Sequence, residues 1–278
     1  MTAAAKLRAL LAEPGKIVVG PGVYDGFTAR IALKAGFDCL YMVKTAAMIA
    51  SLNPNVPLIA DADTGYGGPL MVGRTVTHYM RAGVAALHLE DQVQSKRCGH
   101  LLNKQLVPED EFVSRIRSAC LARDRDPHGD IVIIARTDAL QSEGYEAARD
   151  RLRAAIAAGA DVAFLEGIES EEQGKQICTE LAPTPVLYNC VAGGVSPQLS
   201  VEEARALGFS LIVYPGVCLE PVFESVTRAV AVLKKDGAPP KPDPGRKGSL
   251  KSVFEVVGLR ECMEFDMAAG GALYSKGV

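Results

Sequence analysis

Residues 56–103 bring carboxylates, a lysine, a cysteine and a histidine together at the ends of apolar runs. The run Pro57-Leu58-Ile59-Ala60 stops at Asp61 and Asp63, and the run 85–89 stops at Glu90 and Asp91. Asp61 and Asp63 are two residues apart, so on a regular strand both face one way. Glu90 stands at the tip of the next strand. Oxygen donors in this pattern suit a hard divalent cation, Mg²⁺ or in its place Mn²⁺, which takes a few carboxylates plus waters and substrate oxygens. The competing assignment is helix capping by acidic loop residues. Two adjacent strands ending alike favour the metal.

The chain then runs into Lys96-Arg97-Cys98-Gly99-His100, polar, glycine-bearing and too long for a simple turn. Cationic neighbours favour a thiolate, and a thiol so placed can exchange protons near neutrality. Alone, the pentapeptide does not outweigh an ordinary exposed loop with an incidental cysteine. Arg136 follows the apolar run 131–135, and an arginine at a strand end suits bidentate carboxylate binding. Its alternative is a salt bridge to Asp138 or Glu166. Glu166 and Asn189 end later runs; singly each reads as a satisfied structural group, but so many polar strand ends together point to one site. Cys39, Cys120, Cys178, Cys190, Cys218 and Cys262 read as small buried hydrophobes, and His88 as a hydrogen-bonded core histidine.

The elements that must position these groups follow from the apolar pattern. Buried-strand runs fall at 17–22, 37–42, 56–63, 86–92, 131–137, 161–167, 185–189 and 211–216, with helix-like segments between them. Eight strands alternating with helices in 278 residues predict an α/β fold, a (β/α)8 TIM-type barrel, whose ligands bind at the C-terminal strand ends. An open doubly wound sheet is the alternative, weakened by the absence of a G-x-G-x-x-G turn after the first strand. Asp25 is a possible cap for a helix over 24–34, and Gly36, Gly83 and Gly159 mark helix ends. One connection is too tight. Residues 43–55 must carry a crossover that needs about a dozen residues, so a helix over 43–52 leaves no loop after the second strand.

The barrel is expected over 1–236, ending in a helix over 221–235. A Pro/Gly linker follows at 237–248, then a C-terminal helix and tail over 249–278, amphipathic over 252–267 and frayed beyond 270. The apolar face of that helix must be covered by a neighbouring subunit or by its own barrel. A net charge of −3 gives no case for nucleic acid or an anionic membrane. No run reaches the roughly 20 apolar residues of a membrane span. Seven cysteines without metal-finger spacing fit a reducing, cytoplasmic compartment. The basic, weakly amphipathic N-terminus leaves a mitochondrial address as the alternative.

With these motifs in hand, the chain resembles the isocitrate lyase/phosphoenolpyruvate mutase superfamily. The resemblance is carried by GVYDGFTARIALKAGFD, IADADTGYGG, HLEDQVQSKRCGH, IIARTDA, FLEG, PVLYN and VFEVVGLRECMEFD, and spans nearly the whole chain. It implies a Mg²⁺-dependent barrel whose C-terminal helix is exchanged between subunits of a homodimer or homotetramer, and a gating loop around 96–100 that closes over the substrate. It implies Asp63 as direct metal ligand, with Asp61 and Glu90 acting directly or through water. Cys98 corresponds to the general acid/base, positioned by Lys96 and His100. Arg136 and Asn189 correspond to contacts with a substrate carboxylate, Glu166 to a polar partner near the thiol, and Gly99 to a substrate-binding position in the closing loop. Tyr24 and Asp25 match the first-strand motif that reaches the substrate's oxo or hydroxy end. The implied activity is a carbon–carbon lyase or hydrolase of small carboxylates such as 2-methylisocitrate, dimethylmalate or oxaloacetate. The departure is the Ser/Thr-Gly-rich loop expected after Met42, which is missing. It motivates one alternative, a catalytically impaired member; a second, a phosphonopyruvate-type mutase or hydrolase, is disfavoured by Cys98.

Overall fold

Period-two alternation along short apolar strands leaves each strand with one row of side chains pointing to the barrel axis and one pointing to the helices. The computed structural model describes residues 1–42, 45–127, 129–241 and 250–272. In chain order the elements are α1 (Ala3–Ala12), β1 (Val18–Val23), α2 (Gly26–Lys34), β2 (Leu40–Met42), α3 (Ala46–Leu52) and β3 (Leu58–Asp61). Next come α4 (Pro69–Arg81), β4 (Ala86–Glu90), α5 (Glu109–Arg125), β5 (Val132–Thr137), α6 (Leu140–Glu143), α7 (Tyr145–Ala157) and β6 (Val162–Leu165). The chain continues through α8 (Glu171–Leu181), β7 (Val186–Asn189), α9 (Val201–Leu207), β8 (Leu211–Tyr214) and α10 (Leu219–Asp236), and then α11 (Leu250–Val256) and α12 (Leu259–Ala268). The eight strands are parallel and close into a barrel in sequence order, β8 pairing with β1. This is the expected (β/α)8 architecture.

The axial core collects Tyr41, Ile59, Ala86, Val132, Ile134, Val162, Phe164, Leu187 and Leu211. Ala4 and Leu7 of α1 join this cluster, so the first helix plugs the end of the barrel opposite the strand tips. Continuing each axial row by two residues gives Asp61 after Ile59, Glu90 after Ala86 and His88, and Arg136 after Val132 and Ile134. It also gives Glu166 after Val162 and Phe164, and Asn189 after Leu187. The register places Glu90 opposite Arg136. The polar tips therefore converge because they are in phase with the core below them. Gly22 falls in the same phase on β1, where a Cβ would lie 2.3 Å from the carbonyl oxygen of Pro215.

Several expectations need correction. β1 is as long as its expected run and lies one residue later, the other strands are shorter than their runs, and β3 ends at Asp61, so Asp61 and Asp63 are not two residues of one regular strand. Asp63 adopts φ 49, in the left-handed region, and its N–H donates to Asp61 Oδ1 at 2.8 Å. The helix expected over 43–52 begins at Ala46; residues 43 and 44 lie outside the described residues. The amphipathic segment 252–267 is two helices, divided at Gly258, whose φ of 92 only glycine tolerates easily. Most of the 237–248 linker and the tail from 273 also lie outside the described residues. Cys39, Cys120, Cys178 and Cys190 are buried, but Cys218 is partly exposed and Cys262 exposed. Helix α11 lies against α2, whereas α10 and α12 bury no residue. No helix among the described residues is long and apolar enough to cross a membrane.

Candidate active site at the barrel mouth

Arg136 is the hub of the mouth. Its Nε and Nη2 donate to the two oxygens of Asp138 at 2.8 and 3.1 Å. Nη2 also reaches Glu166 Oε2 at 3.1 Å, and Nε lies 3.4 Å from Glu90 Oε2. The guanidinium stands 5.0 Å from the ring centroid of Phe164, one layer down the axis. The salt bridge weighed as the alternative for Arg136 is thus present with both carboxylates named for it. These bonds use Nε and Nη2 and leave Nη1 outside them.

Burial sets the charge states around this hub. Burial pushes the Glu90 carboxyl up to about 8, against the pull of Arg136. Its Oε2 is buried without a hydrogen bond. Burial also works to raise Asp61, but His88, Arg136 and the Asp63 N–H outweigh it and hold that carboxyl below its usual range. His88, fully buried, has its pKa lowered by desolvation. Its Nε2 lies 3.1 Å from the Tyr41 hydroxyl, and its Nδ1 faces Asp61 Oδ1 at 3.7 Å. His88 is the hydrogen-bonded core histidine expected from the sequence.

The loop carrying the Lys/Cys/His motif is folded down on this floor. Lys96 forms an ion pair with Asp63 and approaches Glu90 Oε1 at 3.8 Å. Gly99 is buried, and a Cβ there would lie 2.3 Å from Arg136 Nη2 and 2.6 Å from Glu166 Cγ. His100 Nδ1 accepts from the Val195 N–H at 3.2 Å, and its Nε2 lies 3.4 Å from Glu166 Oε1. Lys96 and His100, expected to flank and position the thiol, engage carboxylates, while Cys98 is exposed. Asn189 Nδ2 donates to Glu166 Oε2 at 3.1 Å, and its Oδ1 is buried without a partner. Asp25 caps α2 through the Thr28 N–H at 2.7 Å, and Tyr24 sits beside it at the rim.

The geometry adds residues that the sequence reading passed over. The Gln92 side chain spans the loop, accepting from Arg97 N–H at 3.0 Å and donating to Arg97 O at 2.9 Å, and it also donates to Glu90 Oε1 at 3.0 Å. Its signal was its position two residues beyond Glu90, in the same strand phase. Lys104 is buried and donates to Gly99 O and to Asp138. Nothing in its spacing marked it.

Asp61, Asp63 and Glu90 offer only oxygen donors, the set a hard cation takes. Glu90 brings a buried oxygen with no hydrogen bond. Among the described residues no group of three or more His, Cys, Asp or Glu side chains converges to metal-binding spacing. The Lys96 ammonium is the cation that these carboxylates now share. The donor chemistry fits a divalent ion, provided that Lys96 yields Asp63.

Residues 40–234 match the phosphoenolpyruvate phosphomutase family. The chain belongs to the phosphoenolpyruvate mutase/isocitrate lyase superfamily. The 2,3-dimethylmalate lyase of Eubacterium barkeri is 38% identical over 258 residues, covering 85% of this chain and 88% of the relative. The 2-methylisocitrate lyase of Bacillus subtilis is 33% identical over 256 residues, covering 84% and 83%. A crystal structure of 2,3-dimethylmalate lyase superposes with a TM-score of 0.94 at 47% identity, covering 100% of this chain and 99% of that one. Oxaloacetate acetylhydrolase in complex with 3,3-difluorooxalacetate gives 0.93 at 45%, covering 98% and 99%. These superfamily relatives are lyases and a hydrolase, and they share the barrel along nearly its whole length.

Removing the hub tests the electrostatic account of the site. Arg136→Met leaves Glu90, Glu166 and Asp138 short of their shared countercharge, and breaking a buried pair from one side costs about 3–5 kcal/mol. Urea unfolding is expected to show a loss in that range; a loss below about 1 kcal/mol contradicts the account.

Proposed function

We propose that this chain is a divalent-metal-dependent carbon–carbon lyase, or hydrolase, of small 2-hydroxy or 2-oxo di- or tricarboxylates such as 2-methylisocitrate, dimethylmalate or oxaloacetate. The observation that carries the reading is the phase of the strand tips. Asp61 and Glu90 on β3 and β4, with Asp63 just beyond β3, form an acidic side of the mouth. Arg136 on the neighbouring β5 stands directly beside it and Asn189 on β7 further round, and the cysteine loop folds over the mouth. The named relatives act on acids of this class. A phosphonopyruvate hydrolase of the same fold, with a TM-score of 0.81 at 25% identity, has been crystallised with oxalate and Mg²⁺.

Held by Asp63, with Asp61 and Glu90 directly or through water, Mg²⁺ or Mn²⁺ would supply Lewis-acid stabilisation to negative charge developing on substrate oxygen. The chain's own residues do the rest. Arg136, through Nη1, and Asn189 orient a substrate carboxylate. Lys96, once off Asp63, keeps a positive charge on the acidic side. Cleavage sends the electron pair of the broken carbon–carbon bond into an enolate, which must gain a proton on carbon. Cys98, on the loop that Gly99 and His100 seat, is the donor once it turns inward from its exposed position, and its thiolate regains the proton that the substrate hydroxyl releases on becoming a carbonyl or, in the hydrolytic case, one from the attacking water. The seated loop also keeps water from the enolate.

A second reading rests on the connection between β2 and α3, where only residues 43–45 separate Met42 from Ala46. Superfamily resemblance leads one to expect a hydroxyl- and glycine-rich loop there, and its loss would leave a metal-binding but catalytically impaired protein. Turnover decides between the two. The purified chain with Mg²⁺ and a panel of such acids, phosphonopyruvate included, is expected to release an oxo acid or oxalate, and Cys98→Ser to lower the rate about 10²–10⁴-fold. Metal binding without any turnover, with activity appearing once a longer loop is inserted after Met42, would establish the second reading. Turnover of phosphonopyruvate alone would move the chain to phosphonate chemistry.

We also propose that the chain assembles with copies of itself through its C-terminal helices. On α10, Leu219, Val222, Phe223, Val226 and Val230 are exposed, Phe223 at 70%, and an apolar stripe of that extent marks an interaction surface. Light scattering of the purified protein is expected to give a dimer or tetramer; a monomer at tens of micromolar would contradict the assembly.

A further inference from the structure

Lys104 lies at the foot of the cysteine loop, past the motif residues, and the proposed chemistry assigns it no role. Its side chain is 1% exposed and that of its partner Asp138 is 0% exposed. The ammonium donates to Gly99 O at 2.6 Å and to Asp138 Oδ1 at 3.0 Å. Asp138 is itself fixed, since its N–H donates to Asp91 Oδ1 at 2.9 Å, and Thr137 Oγ1 holds the other Asp91 oxygen at 2.6 Å. The same Asp138 carboxylate takes both Nε and Nη2 of Arg136. One buried anion therefore anchors the arginine of the site and the lysine that holds the loop.

We propose that Lys104 is the positioning residue that latches the 94–103 loop shut and links its seating to Arg136. The physical argument is one of desolvation. A buried ammonium with its acceptors removed is costly, and lifting the loop takes Gly99 O away while leaving the charge where it is. The seated loop satisfies Lys104, and the seated position is the one that puts Gly99 against Arg136 and Glu166. A Cβ at 99 would lie 2.3 Å from Arg136 Nη2, so the latch works only with a glycine at that position. The root of the loop is held separately, by the Val93 N–H to Gln105 O at 2.9 Å and the Gln92–Leu106 bridge. Lys96 on Asp63, the two Gln92 bonds to Arg97 and His100 on Val195 also hold the tip, so loss of the latch is expected to loosen Gly99 and its neighbours and leave the root in place. In the reaction proposed above, Lys104 touches neither substrate nor metal. It acts through the pose of Cys98, Gly99 and Arg136.

The test is hydrogen exchange of the backbone amides over 94–103, measured without metal or substrate, so that its outcome is independent of whether the lyase reading holds. Lys104→Met keeps the length of the stem and leaves Asp138 paired with Arg136. It is expected to speed exchange at Leu101, whose N–H bonds Cys98 O, and at its neighbours by roughly tenfold to a hundredfold. Exchange in β4, β5 and β6 should be unchanged. Gly99→Ala, which unseats the loop from the other side, is expected to produce the same selective rise and carries the test should Lys104→Met not fold. With a turned-over substrate, both variants should lower kcat more than they raise KM. Unchanged exchange over 94–103 in either variant overturns the proposal. A uniform rise through the barrel strands would also overturn it, because it would make Lys104 a general structural residue.

Discussion

Three buried carboxylates surround one guanidinium at the top of this barrel, and the site depends on that imbalance. Arg136 answers Asp138 and Glu166 directly and Glu90 at longer range. A single cation cannot neutralise so many anions, and charges buried without compensation cost several kcal/mol each. The molecule meets the deficit by bringing in cations from one loop. Lys96 goes to Asp63 and Glu90, and Lys104 to Asp138. On the acidic side burial raises the Glu90 carboxyl, favouring its protonated form, and leaves one of its oxygens without a hydrogen bond. A mouth short of positive charge and lined with oxygen donors is suited to a divalent ion and an anionic substrate, and it accounts for a loop that carries two lysines.

The barrel makes this concentration of charge possible. Each strand tip extends an inward row whose lower members are Ile59, Ala86, Val132, Ile134, Phe164 and Leu187, so the polar layer rests on a packed apolar one. His88 marks the transition, fully buried, bonded to the Tyr41 hydroxyl and edge-on to Phe164 at 5.5 Å. Helix α1 closes the far end with Leu7. Barrel enzymes divide labour in this way, with stability at one end and chemistry at the other.

Much of this was legible in the sequence. Eight apolar runs gave eight strands in order, and Glu90, Arg136, Glu166 and Asn189 were marked by their places just at or past those runs. What was not legible has identifiable causes. Strand ends were overrun where the expected ranges took in the polar, glycine and proline residues just past the ladder, such as Asp91, Gln92, Gly167 and Gly216, and at Asp63 the chain turns into a left-handed conformation that spacing alone does not reveal. The helix over 252–267 reads as continuous because apolar residues recur on both sides of Gly258, yet the positive φ of that glycine breaks the helix. Lys96 and His100 were expected to serve the thiol between them; in the fold, long-range partners just past β3 and β6 claim them first. Gln92 and Lys104 went unnoticed because their partners, Arg97, Gly99 and Asp138, are defined by the folded loop and not by any spacing.

The account turns on whether the carboxylates of β3 and β4 hold a divalent ion in place of the Lys96 ammonium. A crystal structure of the protein grown with Mn²⁺ and oxalate answers this directly through the anomalous signal of the metal. The account predicts one manganese ion ligated by Asp63, with Asp61 and Glu90 bound to it or to its waters, and Lys96 moved off Asp63. A mouth in which Lys96 still pairs with Asp63 and no manganese density stands beside it would contradict the account.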